Sequence, residues 1–125
     1  MSVTETVKKT LVLGASPNPS RVSNTAIHRL RANGHEVVAV GVRAGNVDGV
    51  DIQLSRPEPD DVHTVSLYLN PQRQADYYDY ILQLNPERLV FNPGTENPEL
   101  IQLARAQGIE VSVGCMLVML AVGTY

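Results

Sequence analysis

A loop that could hold phosphate follows the apolar run "LVL" near the start of the chain. The loop reads "GASPNPSRVSN" and contains one Gly, two Pro, three Ser and two Asn. Backbone N–H groups at Gly14, Ala15 and Ser16, with the positive end of a helix starting near Ser23 and Asn24, are groups that bind a pyrophosphate. The G-x-G-x-x-G spacing of a dinucleotide site is missing, so an ordinary serine-capped turn is an equally good interpretation.

Two arginines are candidates for contact with phosphate. Arg21 lies within this loop and its guanidinium can bind phosphate with two hydrogen bonds, although a solvated surface charge explains it equally well. Arg43 follows the second predicted strand, where an NAD site places an acid for the ribose hydroxyls, and no acid occurs before Asp48. A cation there favours a phosphorylated ribose. NADP and coenzyme A (CoA) both carry one, and a solubilising loop charge is the alternative for Arg43.

Other reactive side chains show no spacing that defines a catalytic or metal site. The three histidines lack metal-ligand spacing, so no metal is expected. The only cysteine, Cys115, opens an apolar segment and fits a small core residue better than a nucleophile. Glu96 could act as a catalytic carboxylate, but a role beside a helix N-terminus fits it better. We therefore expect no catalytic grouping.

Apolar runs alternate with helix signals along the chain. Buried strands are predicted over residues 10–15, 36–42, 63–69, 88–92 and 109–113, and residues 43–61 are treated as a loop with at most a short edge strand. Helices are predicted from a Ser20 or Ser23 cap to Gly34, from Asn70-Pro71 to Asn85, from Asn97-Pro98 to Gly108, and within residues 115–122.

This alternation predicts an α/β fold of three layers, doubly wound and Rossmann-like. We expect one domain over residues 1–125, with a flexible segment at 1–8 and a parallel sheet of about five main strands in the order 3-2-1-4-5. Ligands of such folds bind beyond the carboxyl ends of the strands, where the order reverses. That rule adds two loops to the first. One is residues 69–73, with Leu69, Asn70 and Pro71 as candidates, and the other is residues 92–97, with Asn92, Pro93 and Gly94 as candidates.

Composition narrows the class of protein. The chain has 125 residues and a net charge of −3, which disfavours a nucleic-acid binder that depends on a basic face. The longest apolar run is far shorter than the roughly 20 residues that a membrane-spanning helix needs. A lone cysteine and a first segment without the apolar core of a signal peptide favour the cytoplasm and no membrane association.

Taken together, the motifs resemble the CoA-binding domain family, and most closely its small stand-alone bacterial members. That module also forms the N-terminal part of the succinyl-CoA synthetase alpha subunit. The resemblance rests on "LVLGASPNPSRVSN", "GHEVVAVGVR", "TVSLYLNP", "RLVFNPGTENPEL" and "GIEVSVGCMLVMLAVGTY", which together span nearly the whole chain. Family members often carry "NP" before the basic residue, where this chain has Gly41-Val42.

The resemblance implies a role for each loop. The CoA pyrophosphate would lie against Gly14, Ala15, Ser16, Arg21 and Ser23. Arg43 would meet the phosphorylated ribose, and the loops at 69–71 and 92–94 would flank the nucleotide. The ligase relatives add a phosphohistidine domain and an ATP-grasping partner, which do not fit within 125 residues.

Three functional hypotheses follow. The first is a stand-alone module that binds CoA or an acyl-CoA through its ADP and 3′-phosphate portion. The second is a small NADP- or acyl-CoA-dependent enzyme that uses Glu96 or Cys115. The third is a subunit that docks through "CMLVMLAVGTY", either in a homodimer or with an unknown protein partner.

Overall fold

Seven strands form one sheet in this computed structural model, which describes residues 7–125. Their spatial order is β3-β4-β2-β1-β5-β6-β7, and every neighbouring pair is parallel except the antiparallel pair β3 and β4. The strands are β1 (Thr10–Ala15), β2 (Val37–Gly41), β3 (Asn46–Val47), β4 (Val50–Gln53), β5 (Thr64–Leu67), β6 (Arg88–Phe91) and β7 (Glu110–Val113).

Helices cover both faces of the sheet and make the expected three layers. They are α1 (Val22–Ala32), α2 (Pro71–Gln74), α3 (Tyr78–Leu84), α4 (Pro98–Ala106) and α5 (Met116–Val122), with a 3₁₀ turn at Ala75–Tyr77 between α2 and α3. Alternate residues of β1 enter different cores: Leu11 and Leu13 pack with α3 and α4, whereas Val12 packs with α1 and α5. The alternation follows from the two-residue side-chain period of a strand and confirms a doubly wound, Rossmann-like α/β fold.

The predicted strand count and order need correction. The strand expected over residues 63–69, observed as β5, pairs with β1 and not with β2, so the five main strands have the order 2-1-3-4-5. The place beside β2 is taken by β4, in the segment 43–61 that the prediction treated as loop. β4 lies next to the edge strand β3, and its burial alternates, with Val50 and Ile52 buried and Asp51 and Gln53 exposed.

Helix boundaries agree with most of the sequence signals, with one exception. The side chains of Asn70 and Asn97 accept hydrogen bonds from backbone N–H groups of α2 and α4, as predicted. The prediction for α1 is wrong, because its N-cap is Arg21 and no side chain bonds to the free N–H groups there. The Ser20 hydroxyl instead donates to Asn18 Oδ1 at 2.9 Å, which orders the preceding loop.

Part of the segment expected to be flexible, residues 1–8, lies outside the described residues, which begin at residue 7. Within the described part, the backbone N–H of Lys8 donates to Nδ1 of His35 at 3.0 Å. No helix among residues 7–125 combines the length and hydropathy needed to cross a bilayer.

The phenol of Tyr68 gives the fold a dependence on alkaline pH. Burial raises the pKa of Tyr68 from 10.0 to about 12, against a smaller opposing effect of the Ser66 hydroxyl. Between those two pH values the unfolded chain loses this proton while the folded chain keeps it, so the free energy of unfolding falls as the pH rises.

Between pH 10 and 12, we expect the free energy of unfolding to fall by roughly 1 to 2 kcal/mol more in the wild type than in Tyr68→Phe, because the variant has no phenol to titrate. Urea unfolding of both proteins at several pH values measures this difference. Parallel curves over the whole range would show that Tyr68 does not titrate in this way.

Candidate functional site

A cleft of about 830 Å³ opens at the carboxyl ends of β2, β1, β5 and β6. This volume is within the range of pockets that hold small molecules and cofactors. The lining residues come from the segments that follow these four strands and from the start of α1 and α2: Gly14, Ala15, Ser16, Pro17, Asn18, Ser20, Arg21, Val22, Ser23, Val40, Gly41, Val42, Arg43, Tyr68, Leu69, Arg73, Tyr77, Pro93 and Thr95.

The charges on the cleft wall all have one sign. Arg21, Arg43 and Arg73 line the cleft, and no Asp or Glu does. All three side chains are exposed, and none forms an ion pair with a carboxylate of residues 7–125. On a chain with a net charge of −3, this clustering of positive charge is suited to a ligand that carries several negative charges.

Helix α1 adds partial positive charge to the same wall. It begins at Val22 beside the cleft, has no acid in its first turn and has no side-chain cap. The first backbone N–H groups of a helix need an external acceptor, and phosphate is a common one. A helix start left without a cap is therefore consistent with a bound anion.

Two glycines on the wall are required by the packing of the protein itself. Gly14 has φ +98 at an irregularity between β1 and β2, and a Cβ there would lie 3.1 Å from Leu69 Cδ2. A Cβ on Gly41 would lie only 2.3 Å from the carbonyl oxygen of Ala15. These glycines allow the ends of β1, β2 and β5 to come together, and in this way they shape the floor of the cleft.

The structure brings together eight of the thirteen residues that the sequence singled out. Those on the cleft wall are Gly14, Ala15, Ser16, Arg21, Ser23, Arg43, Leu69 and Pro93. The other five are near the cleft in sequence but not on its wall: Asn24, Asn70, Pro71, Asn92 and Gly94.

The three asparagines of the second group have structural partners. Asn24 donates from Nδ2 to the carbonyl oxygen of Ser16 at 3.0 Å, which fixes the first loop against α1. Asn70 caps α2. Asn92 is buried, donates from Nδ2 to Ser66 Oγ at 2.9 Å, and accepts a hydrogen bond from the backbone N–H of Met116 at 2.9 Å. Asn24 and Asn92 thus support loops that border the site.

The buried side chain of Gln74 joins two parts of the cleft wall. Its Nε2 donates to the carbonyl oxygens of Leu69 and Thr95, each at 2.8 Å. Its Oε1 accepts from Nδ2 of Asn97 at 2.9 Å. Gln74 therefore holds the segment after β5 and the segment after β6 in fixed positions relative to each other.

We expect Gln74→Leu to lower the free energy of unfolding by about 2 kcal/mol, because it leaves two buried carbonyl oxygens and one amide group without this partner. Urea titration monitored by circular dichroism measures the loss. The matched control is Gln72→Leu, an exposed position two residues earlier on α2, which should change little. Equal losses in both variants would contradict a bridging role for Gln74.

On one side of the cleft, Arg73 and Thr95 lie in loops that the sequence indicated without singling out either residue, and Tyr77 was missed. Arg73 and Tyr77 lie on the segment after β5, and the ring of Tyr77 lies 4.2 Å beneath the guanidinium of Arg56. The Asn70-Pro71 pair predicted where the helical segment after β5 begins. Which side chains of that segment face the cleft depends on the pairing of β5 with β1, which was not predicted.

The side chains considered for catalysis lie elsewhere. Glu96 accepts the backbone N–H of Gly94 at 2.9 Å, and Cys115 is the N-cap of α5; neither lines the cleft. Residues 7–125 contain no group of three or more His, Cys, Asp or Glu side chains arranged to hold a metal ion.

Several solved structures share this fold. An uncharacterised protein of known crystal structure is 49% identical, with a TM-score of 0.94, over 97% of this chain and all of the other. A conserved hypothetical protein from Pyrococcus furiosus is 27% identical, with a TM-score of 0.78, over 89% of this chain and 97% of its own. A hypothetical protein from Pyrococcus horikoshii is 24% identical, with a TM-score of 0.83, over 94% and 84%.

None of the curated proteins matches the chain significantly. The family model described as a CoA binding domain matches residues 8–121, which is nearly the whole chain. This match includes all four strands that end at the cleft, as well as the three arginines on its wall. The chain therefore belongs to the CoA binding domain family.

Proposed function

We propose that this protein binds CoA, or a thioester of CoA, through the ADP and 3′-phosphate portion of the cofactor. The observation that carries the proposal is the cleft wall with three arginines, no acid and an uncapped helix start. CoA carries a diphosphate and a ribose phosphate, so its charge matches this wall. The family membership supports the same ligand class.

In this proposal the diphosphate lies at the start of α1, where Ser16, Arg21 and Ser23 border the cleft. Backbone N–H groups and the guanidinium of Arg21 supply the hydrogen bonds. The loops at 69–71 and 92–94 border the nucleotide, with Leu69 and Pro93 in contact and Asn70, Pro71, Asn92 and Gly94 in supporting positions.

Arg43 takes the phosphate on the ribose. It lies two residues beyond the end of β2, on the side of β1 away from β5, and is exposed. An adenosine bound beside this strand would place its ribose near the guanidinium. An acid at the same place would favour the unmodified ribose of NAD, and the cleft wall has none.

The composition of the wall favours a binding role. It contains serines but no His, Asp, Glu, Lys or Cys that could serve as a base or thiol nucleophile beside the ligand. We infer a module that holds its ligand for another protein or responds to its level. A reduced Cys115 and a CoA ligand are both compatible with the cytoplasm.

Calorimetry with CoA, dephospho-CoA, NADP and NAD tests the proposal. We expect CoA to bind most tightly and NAD least, because the ribose phosphate and the diphosphate both contribute. Tighter binding of NADP than of CoA would favour the reductase hypothesis. Failure of all four ligands to bind would reject a nucleotide site in this cleft.

A further inference from the structure

The two edges of the sheet differ in how they are protected. At one edge β3 and β4 form a short hairpin that carries Asp48 and Asp51, both exposed. At the other edge, no strand within residues 7–125 pairs with the outer side of β7. Charged side chains oppose unwanted pairing at an exposed edge, and β7 carries only one, Glu110 at its first position.

The groups that β7 presents outward follow from its pairing with β6. The backbone N–H groups of Glu110 and Gly114 donate inward, to the carbonyl oxygens of Glu87 and Phe91, each at 3.0 Å. Since successive residues of a strand alternate in direction, the N–H and C=O groups of Val111 and Val113 point away from the sheet. This edge therefore presents two donors and two acceptors.

Beyond Glu110, the segment that forms this edge and α5 carries no charged side chain. No Asp, Glu, Lys or Arg occurs from Val111 to Tyr125, although 18% of the whole chain is charged. Val113 is 58% exposed in β7, and Val118 and Val122, which share one face of α5, are 57% and 64% exposed. A charge-free surface meets a copy of itself without repulsion between like charges.

We propose that β7 is the interface of a homodimer, in which the β7 strands of two copies pair antiparallel about a two-fold axis. A two-fold axis perpendicular to the sheet makes identical strands antiparallel and closes the assembly at two subunits. The two sheets then form one continuous sheet of fourteen strands, because each copy contributes seven.

One register uses all four outward groups within β7. In it Val111 forms two hydrogen bonds with the partner's Val113, and the symmetric pair forms two more. The axis passes between Ser112 and its copy, which face each other as a non-hydrogen-bonded pair with Cα atoms about 4.5 Å apart. Each Glu110 lies opposite the partner's Gly114, so the two carboxylates are at opposite ends of the interface.

The axis also brings the two copies of α5 to the same face of the joined sheet. On that face, Val118 and Val122 leave an apolar and uncharged surface on α5 of each copy. Pairing with an unrelated strand would not require the neutral helix.

A cysteine at the axis tests the register. In a Cys115→Ser background, Ser112→Cys should give a disulfide-linked dimer under mild oxidation, because the Cα separation lies within disulfide range. Leu54→Cys in the same background is the control, since Leu54 is 60% exposed near the opposite edge. Equal crosslinking of the two variants, or none at Ser112, would overturn the proposed pairing.

Mass measurement by light scattering tests the dimer itself. At tens of micromolar the wild type should have twice the 13.6 kDa mass of one chain. Val113→Pro removes an outward N–H without touching the bonds to β6, and Val113→Lys adds an edge charge; both should be monomeric. Leu54→Lys should remain dimeric, and circular dichroism checks that each variant is folded. A monomeric wild type would overturn the proposal.

Discussion

Replacing Arg43 by alanine is expected to weaken CoA binding roughly 10- to 100-fold while leaving the binding of dephospho-CoA almost unchanged. The variant removes charge-assisted hydrogen bonds to the ribose phosphate, each worth about 1.5 to 3 kcal/mol. Dephospho-CoA lacks that phosphate, so its affinity should not depend on Arg43. Calorimetry of both ligands with both proteins gives the four affinities that the comparison needs.

The matched control is Arg29→Ala, which removes the same charge from an exposed position in the last turn of α1. Arg29 does not line the cleft, and only a small loss through long-range attraction is expected there. If both variants weakened CoA to the same extent, Arg43 would act through net charge alone. If Arg43→Ala weakened dephospho-CoA as strongly as CoA, its assigned contact would be wrong.

Gly41→Ala is expected to lower the free energy of unfolding by about 3 kcal/mol or more. The new methyl group would lie 2.3 Å from the carbonyl oxygen of Ala15 and 3.1 Å from Ile52 Cγ2. The first of these is the backbone of the last residue of β1, which is paired with Gly41 itself, so it cannot move without disturbing the β1–β2 pairing. Overpacking at such a place is strongly destabilising. Urea unfolding measures the loss.

Gly114→Ala is the control for this substitution. A Cβ on Gly114 would meet no atom within 4 Å, and the residue does not have a positive φ. It should unfold almost as the wild type does. A small loss at Gly41 would mean that β1 and β2 can separate locally, and the floor of the cleft would then be less fixed than its geometry indicates.

The parts of the fold that are local in sequence could be predicted. β1 and β6 are buried on both faces and contain the apolar runs at residues 11–13 and 89–91, and the Asn-Pro pairs at Asn70 and Asn97 begin helices. The place of β5 could not be predicted, because it depends on which strand occupies the position beside β2. β4 takes that position with only four residues, between turns at Asp48-Gly49 and beyond Gln53.

The same difference between local features and features that depend on strand pairing explains which site residues could be predicted. The loop after β1 and Arg43 were found because they directly follow strands whose ends could be recognised. Arg73 and Thr95 lie in loops that were indicated, although neither residue was singled out, and Tyr77 was missed because its place on the cleft wall depends on the pairing of β5 with β1. Gln74 was also missed, because one of its contacts is with Thr95, 21 residues away along the chain.

The separation of charge on this molecule affects how fast a ligand arrives. Within residues 7–125, three basic side chains line the cleft and no acidic side chain does, so the acidic residues of this part of the chain lie elsewhere. The three arginines attract a polyphosphate to the cleft, whereas the net charge of −3 on the whole chain disfavours its approach elsewhere. Encounter is thereby guided before any contact forms, and added salt slows it by shortening the reach of both fields.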